Sequence, residues 1–270
     1  MTPKKRALLV TQDIMPYTDC SEVGTHIEFL PQAMYAKGME TRIMMPRYGI
    51  INERRHRLHE VVRLSGMNII VDDDDYPLII KVASLPNTRM QVYFLDNEEF
   101  FRRKAAFVNE AAMPFEDNAD RMVFFCKGII EIVKKFGWPP EIIHCHGWLT
   151  SLVPFYLKTA YSNEPLFRDT KIVCSVYDEH FDEHFDGAQF FAKASINKLS
   201  VDDLYAFKSD DGEGISLLNG IMAYADGVIV GSATVEERVM EKSTDENARV
   251  LPFQSGDDYL EQYINFYSEV

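Results

Sequence analysis

Apolar and polar positions alternate along the chain in two periods, with short β-rich runs separated by amphipathic helical ones. Arg6–Gln12 is a compact apolar run that predicts a strand. After it Ile27, Leu30, Ala33 and Met34 fall at helical spacing, closed by Ala36-Lys37-Gly38, a glycine stop. Thr41–Met45 predicts the next strand, ended by Pro46-Arg47-Tyr48-Gly49. The pattern then changes: Glu60–Arg63, Met67–Val71, Leu78–Val82 and Met90–Leu95 read as a β meander, with the Asp72–Asp75 run as a solvated turn. From Asn118 the helical period returns. Met122, Phe125, Ile129, Ile132 and Val133 form one apolar stripe through Phe136-Gly137, with Asp117 or Asn118 as N-cap.

Pro139-Pro140 breaks the chain, and Ile142–His146 predicts a buried strand running into a loop. A helix over Thr150–Tyr161 and a strand over Lys171–Val176 follow. Residues 178–213 are polar and acidic, the least regular stretch. Ser216–Ala225 reads as a helix, Gly227–Val230 as a strand, Ala233–Glu241 as a helix, and Asp257–Tyr267 as an amphipathic tail. Strands separated by helices predict an α/β fold: a Rossmann-like, doubly wound, mostly parallel sheet with a β-meander insertion. Residues 1–252 are expected to form one domain and 253–270 a helical tail. In such sheets ligands bind beyond the C-terminal strand ends, here the loops after Gln12, Met45, Cys145 and Val176.

Composition narrows the partners. The 270 residues carry 28 Lys and Arg against 42 Asp and Glu, a formal charge of −14, which repels phosphate backbones and anionic lipid at long range. Neither nucleic acid nor membrane is an expected partner. An aromatic share of 12% argues against disorder. The apolar run behind the basic N-terminus is only Ala7–Val10, too short for a signal peptide, and no window is long enough to span a bilayer. Cys20, Cys126, Cys145 and Cys174 are scattered with no CxxC pair, which predicts a reduced, cytoplasmic protein.

Several of the ligand-facing loops carry motifs in a particular order. LLVTQDIMPYTDCSEVGTHIEFLPQAM opens the chain, Met45-Pro46-Arg47-Tyr48-Gly49 follows, and then Asp117-Asn118-x-x-Arg121 with Phe124-Phe125. Glu141-Ile142-Ile143-His144-Cys145-His146-x-Trp148-x-Thr150 comes next, and then Tyr224-Ala225-Asp226 with Val230-Gly231-Ser232. This series resembles the bacterial glycogen synthase and plant starch synthase family, over about residues 5 to 240. The resemblance implies the N-terminal half of a two-domain GT-B glycosyltransferase, a hexosyltransferase ancestry in α-1,4-glucan elongation, and ADP-glucose or α-glucan as ligands. It implies no cofactor. It also implies that the second Rossmann-like domain, which carries an Arg-Lys pair and a Glu for transfer, is absent from this chain.

Where the family has Lys-x-Gly-Gly-Leu, this chain has Asp19-Cys20-Ser21-Glu22-Val23. Adjacent glycines let backbone N–H groups approach a diphosphate and the lysine adds positive charge. Asp19 and Glu22 put carboxylates there instead, and like unit charges about 4 Å apart at an effective dielectric near 20 cost roughly 4 kcal/mol. The family's His-Asp-Trp-His becomes His146-Gly147-Trp148-Leu149, and its Thr-Ile-His-Asn, whose histidine contacts the sugar, becomes Ser175-Val176-Tyr177-Asp178. Tyr177 and Asp178 therefore stand at the catalytic His-Asn positions, and Tyr17, Asp19, Ser21, Glu22, His146 and Trp148 are the substrate-facing candidates. Tyr17 and Trp148 could stack on a sugar ring or close the core edge. These losses predict that the chain alone transfers no glucose. The exposed half-cleft is compatible with a homo-oligomer or a complementary protein partner.

Two further readings stand beside this one. A non-catalytic relative could bind glucan or regulate a synthase. A weaker reading starts from His180-Phe181-Asp182-Glu183-His184, an HxxEH pattern in which His180 and His184 would share a helix face around a metal, with Glu183 as general base. The bland alternative for that segment is a solvated acidic loop, and no metal is expected. The neighbouring His144 and His146 face one side of a strand and read as packing.

Overall fold

In the computed structural model, which describes residues 4–197, 199–243 and 248–270, Arg6–Thr11 forms the central strand β1. The other strands are β2 (Glu40–Pro46), β3 (His59–Glu60), β4 (Met67–Val71), β5 (Asp74–Ser84), β6 (Gln91–Asp96), β7 (Ile142–His146), β8 (Lys171–Val176), β9 (Gly227–Val230) and β10 (Arg249–Leu251). They form one sheet in the order β10-β9-β8-β7-β1-β2-β6-β5-β3, with β4 paired to β5. From β10 across to β6 the neighbours are parallel, while β5 runs antiparallel to β6, β3 and β4. The Rossmann-like, mostly parallel sheet with an antiparallel meander is as the periodicity predicts. The strand order reverses between β1 and β7, so the crevice favoured for ligands opens beyond Thr11 and His146.

The helices are α1 (Glu22–His26), α2 (Leu30–Ala36), α3 (Glu53–His56), α4 (Glu98–Phe101), α5 (Asn118–Phe136), α6 (Leu152–Lys158), α7 (Gly187–Ala194), α8 (Leu217–Tyr224), α9 (Glu236–Lys242) and α10 (Tyr259–Phe266). The α5 stripe is wholly buried: Met122, Phe125, Ile129, Ile132 and Val133 are at zero exposure. Gly137, in the left-handed region at φ 58°, ends that helix and Gly38 (φ 84°) follows α2, the stop role that a missing Cβ permits. None of the helices formed by described residues is long and apolar enough to cross a membrane.

Three local expectations change. The acidic turn is shorter than the run of four, because Val71 pairs with Asp74 and only Asp72 and Asp73 lie between the strands. Strand β10 was not foreseen; at three residues it carries too short a pattern to be read. The stretch 178–213 is also more structured than its polarity suggests. Phe190, Ala194, Ile196, Leu204 and Phe207 are buried there, on α7, the loop after it and a short 3-10 helix over Val201–Phe207. These few apolar residues are driven into the core, while most of the acidic ones face water.

Candidate functional site at the carboxyl ends of the central strands

The loop after β1 folds back on a buried carboxylate. Asp13 is fully buried, and its Oδ2 accepts the backbone N–H groups of Cys20 at 2.7 Å and Ser21 at 2.8 Å, with the Ser21 hydroxyl at 3.3 Å. Two N–H groups of the loop that stands in place of the glycine pair are thus satisfied internally. Burial raises the Asp13 pKa despite those bonds. Gly24 is required beneath the loop, since a Cβ there would sit 2.8 Å from Asp13 Oδ2.

A second carboxylate spans the crevice. Glu179, just after β8, is half-buried, with Oε2 accepting the Trp148 backbone N–H at 2.9 Å and Oε1 accepting from the Gln12 side-chain amide. Gln12 in turn accepts from the Leu149 N–H at 3.2 Å, so the loops after β1, β7 and β8 are laced together. Burial is the main cause that pushes the Glu179 pKa up to about 7, with Glu22 and Asp13 adding repulsion against the lowering effect of the two hydrogen bonds. Sequence reasoning named its neighbour Asp178 and missed Glu179. Its signal was only position, one residue beyond the aligned motif.

The predicted residues fall into two groups. Asp19, Glu22 and Asp178 are exposed at the rim, and Glu22 Oε1 accepts the Asp178 N–H at 3.3 Å. Tyr17, His146, Trp148 and Tyr177 are buried. The Tyr177 ring lies against Gly231, where a Cβ would approach it to 2.6 Å, and its hydroxyl meets His146 Nδ1 at 3.1 Å. Trp148 stacks on Phe181 at 4.6 Å between centroids and has Phe107 edge-on at 5.7 Å. The Tyr17 hydroxyl donates to the Ser84 carbonyl at 2.9 Å, its ring is edge-on to Phe94, and burial lifts its pKa to about 12. Of the two roles open to Tyr17 and Trp148, this geometry is that of core edges. Ser21 caps α1, with its hydroxyl turned to Asp13.

The loop after β2 is occupied as well. Arg47 pairs with Asp96 at 3.0 Å and Glu53 at 2.9 Å, and Lys81 reaches the same two carboxylates. Arg121 is buried, donating to the Phe100 carbonyl and the Asn118 side chain, while Asn118 holds the Phe107 carbonyl. The Asn118-x-x-Arg121 pair thus fastens the 98–118 segment to α5.

Behind the site His144 and His146 overlap at 3.8 Å between centroids. Tyr267 and Ser175 hydroxyls hold the two nitrogens of His144 at 2.8 Å each, and the Tyr263 hydroxyl holds His26 at 2.8 Å. Burial depresses His144 to about 3 and His146 well below its ordinary value, so both are neutral packing groups. The HxxEH segment differs from the helical metal reading. Phe181–His184 is a single 3-10 turn, so its histidines do not stand at α-helical spacing on one face. His180 is bound to Asp178 at 3.0 Å and Glu183 at 2.8 Å. Among the described residues no group of three or more His, Cys, Asp or Glu is placed to hold a metal ion.

The open space left in this crevice is a cleft of about 40 Å³ lined by Gly147, Trp148, Tyr177, Glu179, Asp182 and Arg238. The profile of the starch synthase catalytic domain matches residues 6–251. The chain belongs to the starch and glycogen synthase family. Glycogen synthase of Chlorobium limicola is 38% identical over 174 residues, which cover 64% of this chain and 36% of that protein. Its counterpart from Chlorobaculum parvum is 33% identical over 235 residues, 87% of this chain and 47% of that one. The catalytic domain of starch synthase IV from Arabidopsis thaliana, solved with ADP and acarbose, shares the fold at a TM-score of 0.72. The likeness covers 99% of this chain and 50% of that one at 18% identity. The chain therefore spans about half, or less, of the length of these family relatives.

Proposed function

We propose that this family member is a synthase-type glycosyltransferase domain linked to α-1,4-glucan metabolism that does not transfer glucose from ADP-glucose on its own. The observation that carries this reading is the capture of the Cys20 and Ser21 N–H groups by Asp13, beneath a rim bearing Asp19 and Glu22. A diphosphate approaching that loop meets two backbone donors already bound and two carboxylates at the rim. At the position of the family's sugar-contacting histidine, Tyr177 borders the cleft but packs its ring on Gly231 and commits its hydroxyl to His146. The buried Cys145 and Cys174, opposite each other in register yet unbridged, support a reducing compartment such as the cytoplasm.

The test is glucosyl transfer from ADP-glucose to maltoheptaose by the purified chain, with titration of each compound separately. The expected result is no transfer and no micromolar ADP-glucose binding. Turnover by the chain alone would overturn the proposal. Binding of maltoheptaose without turnover would assign the domain to glucan binding, the pseudoenzyme form of the same reading.

A further inference from the structure

A further concavity lies at the opposite end of the sheet from the crevice. It is a pocket of about 640 Å³, within the range of small-molecule sites, at the N-terminal edges of β2 and β6. Three cations line it, Lys4, Arg42 and Arg89. None of the three has a carboxylate within ion-pair distance among the described residues, in a chain of net charge −14. The one acid in the lining, Glu40, is engaged elsewhere: it accepts from Trp138 Nε1 at 2.8 Å and faces Arg6 at 3.7 Å.

The cations are also positioned. The Arg42 guanidinium lies 4.7 Å from the Phe136 ring centre and 4.5 Å from that of Trp138, two aromatic contacts that restrain it. Lys4 Nζ lies 5.5 Å from the centre of the exposed Tyr35 ring. Gln91 uses its carbonyl oxygen to accept the Tyr93 hydroxyl, which leaves its amide N–H₂ available.

From this arrangement we infer a second binding site, for a small phosphate-bearing molecule, on the face remote from the crevice. Arginine forks match phosphate oxygens in pairs, and neutral amide and aromatic groups beside them suit a hydroxylated carbon skeleton. The size of the pocket and the acidity of the whole chain favour a small ligand, because a polyanion such as nucleic acid would be repelled by the surrounding surface. The inference is independent of whether the crevice transfers glucose.

The test is calorimetric titration of the full chain with ribose 5-phosphate and inorganic phosphate, and with ribose as the uncharged control. Both phosphates are expected to bind and ribose not to. Ribose 5-phosphate binding more tightly than phosphate would assign a sugar phosphate, and equal binding a free phosphate. Arg89 is exposed, so Arg89→Glu is expected to fold normally and to weaken binding by at least about tenfold, with Arg89→Lys retaining most of it. Lys4→Glu is expected to act in the same direction. Glu22→Gln, at the crevice rim, is expected to leave this affinity unchanged. Absence of phosphate binding, wild-type affinity in Arg89→Glu, or ribose binding as well as its phosphate would each overturn the inference.

Discussion

Glu179 holds Trp148 by its backbone, Oε2 to N–H at 2.9 Å, and through this one bond the loop after β8 is fixed to the loop after β7. The pair has a pH signature. The folded-state pKa of Glu179, about 7, lies above the ordinary value of 4.5, so the folded chain binds the extra proton between those values. Its contribution is fully present below pH 4.5 and is lost as pH rises through about 7. Glu179→Gln mimics the protonated form. It is expected to gain on the wild type by on the order of 3 kcal/mol between pH 4.5 and 8 in urea unfolding series. A constant difference across that range would contradict the assignment.

His144 acts with the opposite sign. Its folded value of about 3 lies below the ordinary value of 6.5, so the stability present above pH 6.5 is lost as pH falls towards 3. Acid unfolding is therefore expected to begin on the histidine side, below pH 6.5. Tyr267→Phe removes the hydroxyl from His144 Nδ1 and is expected to cost about 1–2 kcal/mol, measured by chemical denaturation at neutral pH.

Gly147 stands at φ 83° and ψ 165°, a region open essentially to glycine alone, and a Cβ there would meet the Gln12 side chain at 2.3 Å. Gly147→Ala is expected to destabilise the chain by about 2–4 kcal/mol, strain and overpacking together. The Gln12 amide would also be displaced from Glu179. The unfolding midpoint reads the first effect, and a fall in the pH dependence assigned to Glu179 reads the second.

At the rim, Asp19→Lys combined with Glu22→Gly is expected to raise ADP affinity by at least about tenfold, because one like charge is reversed and another removed. Glucosyl transfer is expected to stay undetectable, since Tyr177 still fills its site. Calorimetry and the maltoheptaose assay check the two halves separately.

For zinc, titration of the metal-stripped chain is expected to reveal no stoichiometric tight site, and His180→Ala is expected to leave the result unchanged. A one-to-one complex lost in that variant would revive the metal reading of His180 and His184.

Much of the fold was legible because long apolar runs leave little choice. Gly227–Val230 and Lys171–Val176 fall on their predicted bounds, and α5 spans Asn118–Phe136 beneath its stripe. The site was legible only as a set of loops. Residue type does not reveal that Trp148 is covered by Phe181, or that Tyr177 turns inward onto Gly231, because both facts depend on partners far along the chain. Glu179 escaped for the same reason: a glutamate in an acidic stretch looks solvated until three loops close over it. Asp13 was passed over as an ordinary residue after a strand, although its two backbone bonds set the shape of the loop.

The hydroxyls of Tyr263 and Tyr267 reach His26 and His144, and Lys5 Nζ donates to the Tyr267 carbonyl at 3.2 Å, so α10 and the residue after it are tied to α1, to β7 and to the residue before β1. A nascent chain still short of Tyr267 therefore carries a central strand whose buried imidazole lacks its phenolic partner. Contacts of such long sequence separation form late, after many shorter loops have closed. Synthesis order and folding order thus diverge in this protein: β1 and β7 both precede α10 along the chain, and the network that completes β7 waits until α10 and Tyr267 have been made.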